Sequence, residues 1–84
     1  MTVYQYKQMS EPEQINTLEQ SGVLIGEREE LFRHIELYQV DDFYVELYHH
    51  THFNVIVNMK SFTSTDRLKP YFAAIDITSL ISLN

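Results

Sequence analysis

Between residues 31 and 62 the chain alternates in polarity. Leu31, Ile35 and Leu37 share one parity, as do Phe43, Val45 and Leu47, and again Val55, Val57 and Met59, with polar neighbours inside each set. Period-2 alternation in runs rich in β-branched and aromatic residues predicts antiparallel strands with one face on a core. Strands are expected near 23–28, 31–39, 43–50 and 54–62, with Glu29-Glu30 as a polar turn. Val40-Asp41-Asp42 is read as a three-residue hairpin loop, because Asp tolerates the left-handed conformation such a loop requires. That loop places Gln39 opposite Phe43, Leu37 opposite Val45 and Ile35 opposite Leu47.

Outside this stretch the spacing is helical. Ser10-Glu11-Pro12-Glu13 predicts a helix start, with Ser10 and Glu13 placed for a capping box and Pro12 in the first turn. Ile15 and Leu18 mark the buried side of a helix near 11–21, and Gly22 is expected to end it in the left-handed conformation. Residues 1–9 are expected to pack through Val3, Tyr4, Tyr6 and Met9. Ser64 or Thr65 can cap a C-terminal segment, with Pro70 beginning a helix near 70–75. The fold read from these patterns is α+β. It is a four-stranded antiparallel β-meander with N- and C-terminal helices packed on one face (α-β-β-β-β-α), in one domain spanning 1–84. The stretches GVLIGEREE, LYQVDDFYVELYHH and SFTSTDRLKPYF resemble a family of small bacterial proteins of unknown function, over roughly Ser10 to Ile77. That resemblance supports the same fold and brings no activity, cofactor or catalytic residue to carry over.

Composition narrows the function classes. No cysteine is present, which excludes disulfides, thiolate metal sites and a cysteine nucleophile. The start, MTVYQYKQM, lacks the basic and apolar regions of a signal peptide, and no apolar run reaches membrane-spanning length. A cytoplasmic protein that does not engage a membrane is expected. The net charge of −6 argues against nucleic acid as a partner. Residues 1–46 hold ten acidic and three basic residues, and residues 47–84 hold two and three. This asymmetry is read as a solvated acidic side.

Four groups of residues carry candidate chemistry. His49, His50 and His52 lie in four positions, a pattern that can bind metal. Strand parity places His49 on the core side and His50 on the other. The cluster is therefore read as a hairpin turn with opportunistic affinity through His50 and His52, and no cofactor is expected. A second group, His34, Glu36 and Glu46, shares the non-core face in the register above, with Glu36 opposite Glu46 and His34 opposite Tyr48. Such a group offers an acid–base pair or a mixed metal site, yet a flat sheet face gives no enclosure. The basic trio Lys60, Arg67 and Lys69 is read as solvated surface, with a phosphate or an acidic segment as the sharper alternative. Finally, Phe32, Tyr38, Tyr44 and Tyr48 share the parity opposite the core. Tyrosine suits surfaces that are wet alone and buried in a complex, although an N-terminal layer covering them would fit equally. Without a nucleotide or hydrolase signature, the sequence reads as a non-enzymatic protein-interaction module, a homodimer or an accessory subunit of an unknown partner. A small metal- or ligand-binding protein, with hydrolytic chemistry open to it, using His34, Glu36 and Glu46 or the His49–His52 turn, is the alternative.

Overall fold

The computed structural model describes residues 1–72. Two helices, α1 (Val3–Lys7) and α2 (Glu11–Ser21), precede four strands, β1 (Val23–Glu30), β2 (Arg33–Val40), β3 (Phe43–His50) and β4 (Ile56–Phe62). A 3-10 helix follows at Thr65–Tyr71. The strands form one antiparallel sheet in the order β1-β2-β3-β4, so the α+β meander is the fold.

The helix starts follow from capping chemistry. Ser10 Oγ accepts the Glu13 backbone N–H at 3.3 Å, and the Glu13 carboxylate accepts the Ser10 backbone N–H at 3.1 Å. Thr2 and Gln5 form the same reciprocal box on α1, a short helix where the sequence suggested only packed residues. Gly22 is extended (φ −78°, ψ 145°) rather than left-handed. Its small size matters for a different reason: a Cβ there would lie 2.6 Å from the Leu18 carbonyl oxygen. At the other end, Ser64 caps the 3-10 helix through the Asp66 N–H, and Pro70 falls inside the element instead of starting one. The rest of the helix expected over 70–75 lies outside the described residues.

The β2–β3 hairpin differs from expectation by one residue. Its loop is Asp41-Asp42 alone, Asp41 has φ 50°, and Val40 pairs with Phe43. Val40 and Phe43 are fully buried. Withdrawing each such side chain from water stabilises by roughly 1.5–3 kcal/mol. Either loop needs one left-handed residue, at a cost of roughly 1–2 kcal/mol, so the burial of Val40 in the strand decides for the tighter one. In the β1–β2 hairpin, likewise, Glu29 and Glu30 stay in the strand opposite His34 and Arg33. The turn is Leu31-Phe32, both exposed, with Phe32 at φ 64°.

A one-residue slip turns every side chain of a strand to the other face, and here it divides the core in two. On one face Val40, Phe43, Val45 and Leu47 pack beneath Val3, Tyr6 and Leu18 of the helices, with the Tyr6 and Phe43 rings 5.4 Å apart. On the other, Ile35, Leu37, Tyr48 and Phe62 are closed over by Tyr71 of the 3-10 helix, with Leu68 against them. The terminal helical elements therefore do not share one face, as the sequence suggested. β3 lies between two layers, and Val45, Glu46, Leu47 and Tyr48 are all buried. An irregularity in the β3–β4 pairing at Tyr48/His49 lets both Ile56 and Met59 reach the helical face. Val55 and Val57, expected in the core, are exposed.

Candidate functional site

The register decides which ionisable groups meet. On the helical face, beyond the apolar core, β1 supplies Glu27 and Glu29, β2 supplies His34 and Glu36, and β3 supplies His49. Glu27 pairs with Glu36, Glu29 with His34, and His34 with His49, so all five side chains project from one face. His34 Nδ1 lies 2.5 Å from a Glu29 oxygen and its Nε2 lies 3.0 Å from Glu27. His49 Nε2 is 2.7 Å from Glu36 Oε1, and the Tyr38 hydroxyl donates to that same oxygen at 3.2 Å. The hydrogen bond that His34 donates to Glu29 raises its pKa, against the opposing pull of burial. Burial first, and then the Glu36 charge, push Tyr38 up to about 12, so it stays a donor. One ligand atom from each of Glu27, His34 and Glu36 can be chosen so that all three lie within 4.8 Å of one another. His34, Glu36 and His49 also line a shallow cavity of about 330 Å³ with His50, Thr51 and Asn54.

The opposite face holds one buried carboxylate, Glu46, 3% exposed. Arg28 reaches its Oε2 at 3.1 Å, and the Tyr71 hydroxyl donates to the same oxygen at 2.5 Å. Tyr48 donates to Oε1 at 3.5 Å, and Arg67 stands 3.8 Å from it. Burial and the hydrogen bond to Glu46 raise the Tyr71 pKa, keeping it protonated. This network ties the 3-10 helix to β1 and β3.

The structure therefore regroups the residues singled out from sequence. His34 and Glu36 meet, but Glu46 faces the other side of the sheet, opposite Leu37 and Lys60 rather than Glu36. The same slip removes the His34–Tyr48 pairing: Tyr48 is opposite Ile35. The four aromatic residues do not form one stripe. Tyr38 packs on the helical core, Tyr44 and Tyr48 pack on the other face, and Phe32 sits in a turn, stacked at 6.2 Å on His50. His49 and His50 point to opposite faces, as parity predicted. His50 Nδ1 accepts the backbone N–H groups of His52 and Phe53, which closes the turn, while His52 lies exposed against the Phe53 ring. Glu27, Glu29, Arg28 and Tyr71 were missed. The first two share a parity within GEREE, a signal that becomes readable only once β2 is paired in its true register.

No family model matches the chain, and neither a curated protein nor a solved structure matches it. None of the helices among the described residues is long and apolar enough to cross a membrane.

Proposed function

We propose that this protein is a small metal-binding domain, taking a divalent first-row transition ion, zinc above all, at Glu27, His34, Glu36 and His49. One observation carries the reading: three adjacent strands bring two imidazoles and two carboxylates together on one face, with ligand atoms of Glu27, His34 and Glu36 mutually within 4.8 Å. Mixed imidazole and carboxylate donors suit zinc and its neighbours. Ligand bonds of about 2.0–2.2 Å to a tetrahedral ion put donor atoms roughly 3.4 Å apart, so a modest side-chain adjustment closes the shell. Glu29 supports the assignment. If its carboxylate keeps accepting the Nδ1 proton of His34, it fixes the tautomer that presents Nε2 to an ion, an arrangement recurrent behind metal-bound histidine. Tyr38, donating to Glu36 Oε1, orients that carboxylate in the same way.

Calorimetric titration of untagged protein with zinc tests this. One equivalent should bind with an affinity of roughly micromolar. His34→Ala and His49→Ala should each weaken it at least ~10-fold, while His50→Ala and His52→Ala leave it unchanged. Loss on the His50 or His52 change alone would move the site to the turn, and no binding would end the proposal.

A second reading, self-association as an interaction module, draws support from the two sheet edges. Val23 and Leu24 on β1, and Val55 and Val57 at β4, are large apolar side chains left exposed. Edge strands invite pairing with another chain, and a twofold dimer is the commonest outcome. Light scattering with Val57→Lys separates it from a metal-dependent role.

A further inference from the structure

We propose that the face opposite the helices binds a small phosphate-bearing molecule, its phosphate held by Arg33, Lys60 and Arg67. The cleft there has a volume of about 450 Å³, within the range of small-molecule sites. Four of the six lysines and arginines of this acidic chain line it: Arg28, Arg33, Lys60 and Arg67. Three of them crowd one ring. The charged groups of Arg28, Arg33 and Lys60 lie 6.0, 5.9 and 5.1 Å from the centroid of Tyr48. Tyr48 is buried, so the ring anchors the cations and does not itself stack on a ligand.

Like charges so close repel unless something negative lies among them. Three carboxylates line the cleft, Glu30, Glu46 and Asp66. The oxygens of Glu46 are engaged by Arg28, Tyr71 and Tyr48, with Arg67 3.8 Å from Oε1, and Glu30 is engaged by Arg28 at 2.9 Å. Arg33 and Lys60 have no ion pair within 4.0 Å among the described residues, and buried Arg28 Nε has no hydrogen-bond partner there. Four cations against three carboxylates leave one positive charge for a ligand to meet. Phosphate fits better than carboxylate. Its several oxygens can take charge-assisted bonds from two guanidinium forks and an ammonium at once, where a carboxylate has two.

The test is nuclear magnetic resonance titration of chelator-treated, metal-free protein at constant ionic strength, so the result does not depend on the metal proposal. The probes are inorganic phosphate, glycerol phosphate and acetate. Phosphate should bind saturably, with shifts concentrated at Arg33, Lys60 and Arg67. Tighter glycerol phosphate binding would mark an organic phosphate as the ligand, and equal binding would mark the free ion. Arg33→Gln with Lys60→Gln should weaken binding at least ~10-fold, about the loss of 1.4 kcal/mol, without changing thermal unfolding, because both side chains are at the surface. Lys7→Gln, on the other side of the sheet, should change nothing. Acetate as strong as phosphate, a double variant that binds like the wild type, or no saturable binding would each overturn the proposal.

Discussion

The two faces of the sheet hold their ionisable groups under opposite conditions. On the helical face the core holds no charged side chain, and the histidines and carboxylates gather beyond it, His34 and His49 still 31% and 25% exposed. On the other face a carboxylate is built into the core itself, 3% exposed, and satisfied by Arg28 and two tyrosine hydroxyls. Partly exposed groups can exchange partners with solvent, so they suit binding an ion. A buried, saturated carboxylate is costly to disturb, so it suits holding other groups in place. Glu46 accordingly reads as the anchor that fixes Arg28 and Tyr71, leaving Arg33 and Lys60 to face solvent.

The largest expected effect lies on the apolar side. Phe43→Ala should cost about 3–5 kcal/mol, since the residue is fully buried against Tyr6 and its loss leaves a cavity under α1. Urea unfolding followed by tyrosine fluorescence would measure it. A cost under about 1 kcal/mol would mean that the helices collapse into the gap and that this core is loosely determined.

A smaller effect is expected from Glu46→Ala, about 2–4 kcal/mol by the same assay, because the buried Tyr71 hydroxyl and the partly buried Arg28 would lose their shared partner. Glu46→Leu sharpens the comparison. Apolar replacement of a buried ionic group is often neutral or stabilising, provided the freed cation can reach water, and Arg28 retains Glu30 at the cleft mouth. Leucine should recover at least half of the alanine loss. If it instead matches alanine, the network contributes stability that apolar packing cannot replace.

The fold class was legible because capping signals and strand alternation are local. Ser10 with Glu13 marks the start of α2, and the period-2 runs mark β2 and β3. The site was not legible, because it depends on register. One residue of loop length, three at Val40-Asp41-Asp42 or two at Asp41-Asp42, decides whether Glu46 faces Glu36 or Leu37. The sequence favours Asp in the loop under either choice, and the decision falls to the burial of Val40 and Phe43, a tertiary term. The β1–β2 turn was harder still. An exposed Leu31-Phe32 turn contradicts turn propensities, and it sets the register in which Glu29 meets His34 and Glu30 stands opposite Arg33. In retrospect β3 carried a hint. Phe43-Tyr-Val-Glu-Leu-Tyr48 is apolar or aromatic on both parities except at Glu46, as a strand covered on both sides should be.

The smallest expected effect concerns pH, and it reports on the helical face alone. The folded pKa of His34 is raised, chiefly by its hydrogen bond to Glu29. A group with a raised folded pKa adds stability that is fully present below its unfolded pKa, about 6.5, and is lost as pH rises through the higher folded value. Wild-type protein, metal-free, should therefore lose a little stability above neutral pH relative to His34→Gln, and match its pH dependence elsewhere. The difference is small because a third of the His34 side chain is in water, where solvent screens the pair. Zinc bound at the proposed site should reverse the sign. An ion displaces the Nε2 proton, so metal-dependent stabilisation should grow over the same pH interval in which the proton-linked part fades. Urea midpoints at pH 6 and pH 8.5, each with zinc and with chelator, measure both terms. A zinc increment equal at the two pH values would mean that the ion binds without displacing a proton from His34, and would place it away from the Glu27–His34–Glu36 cluster.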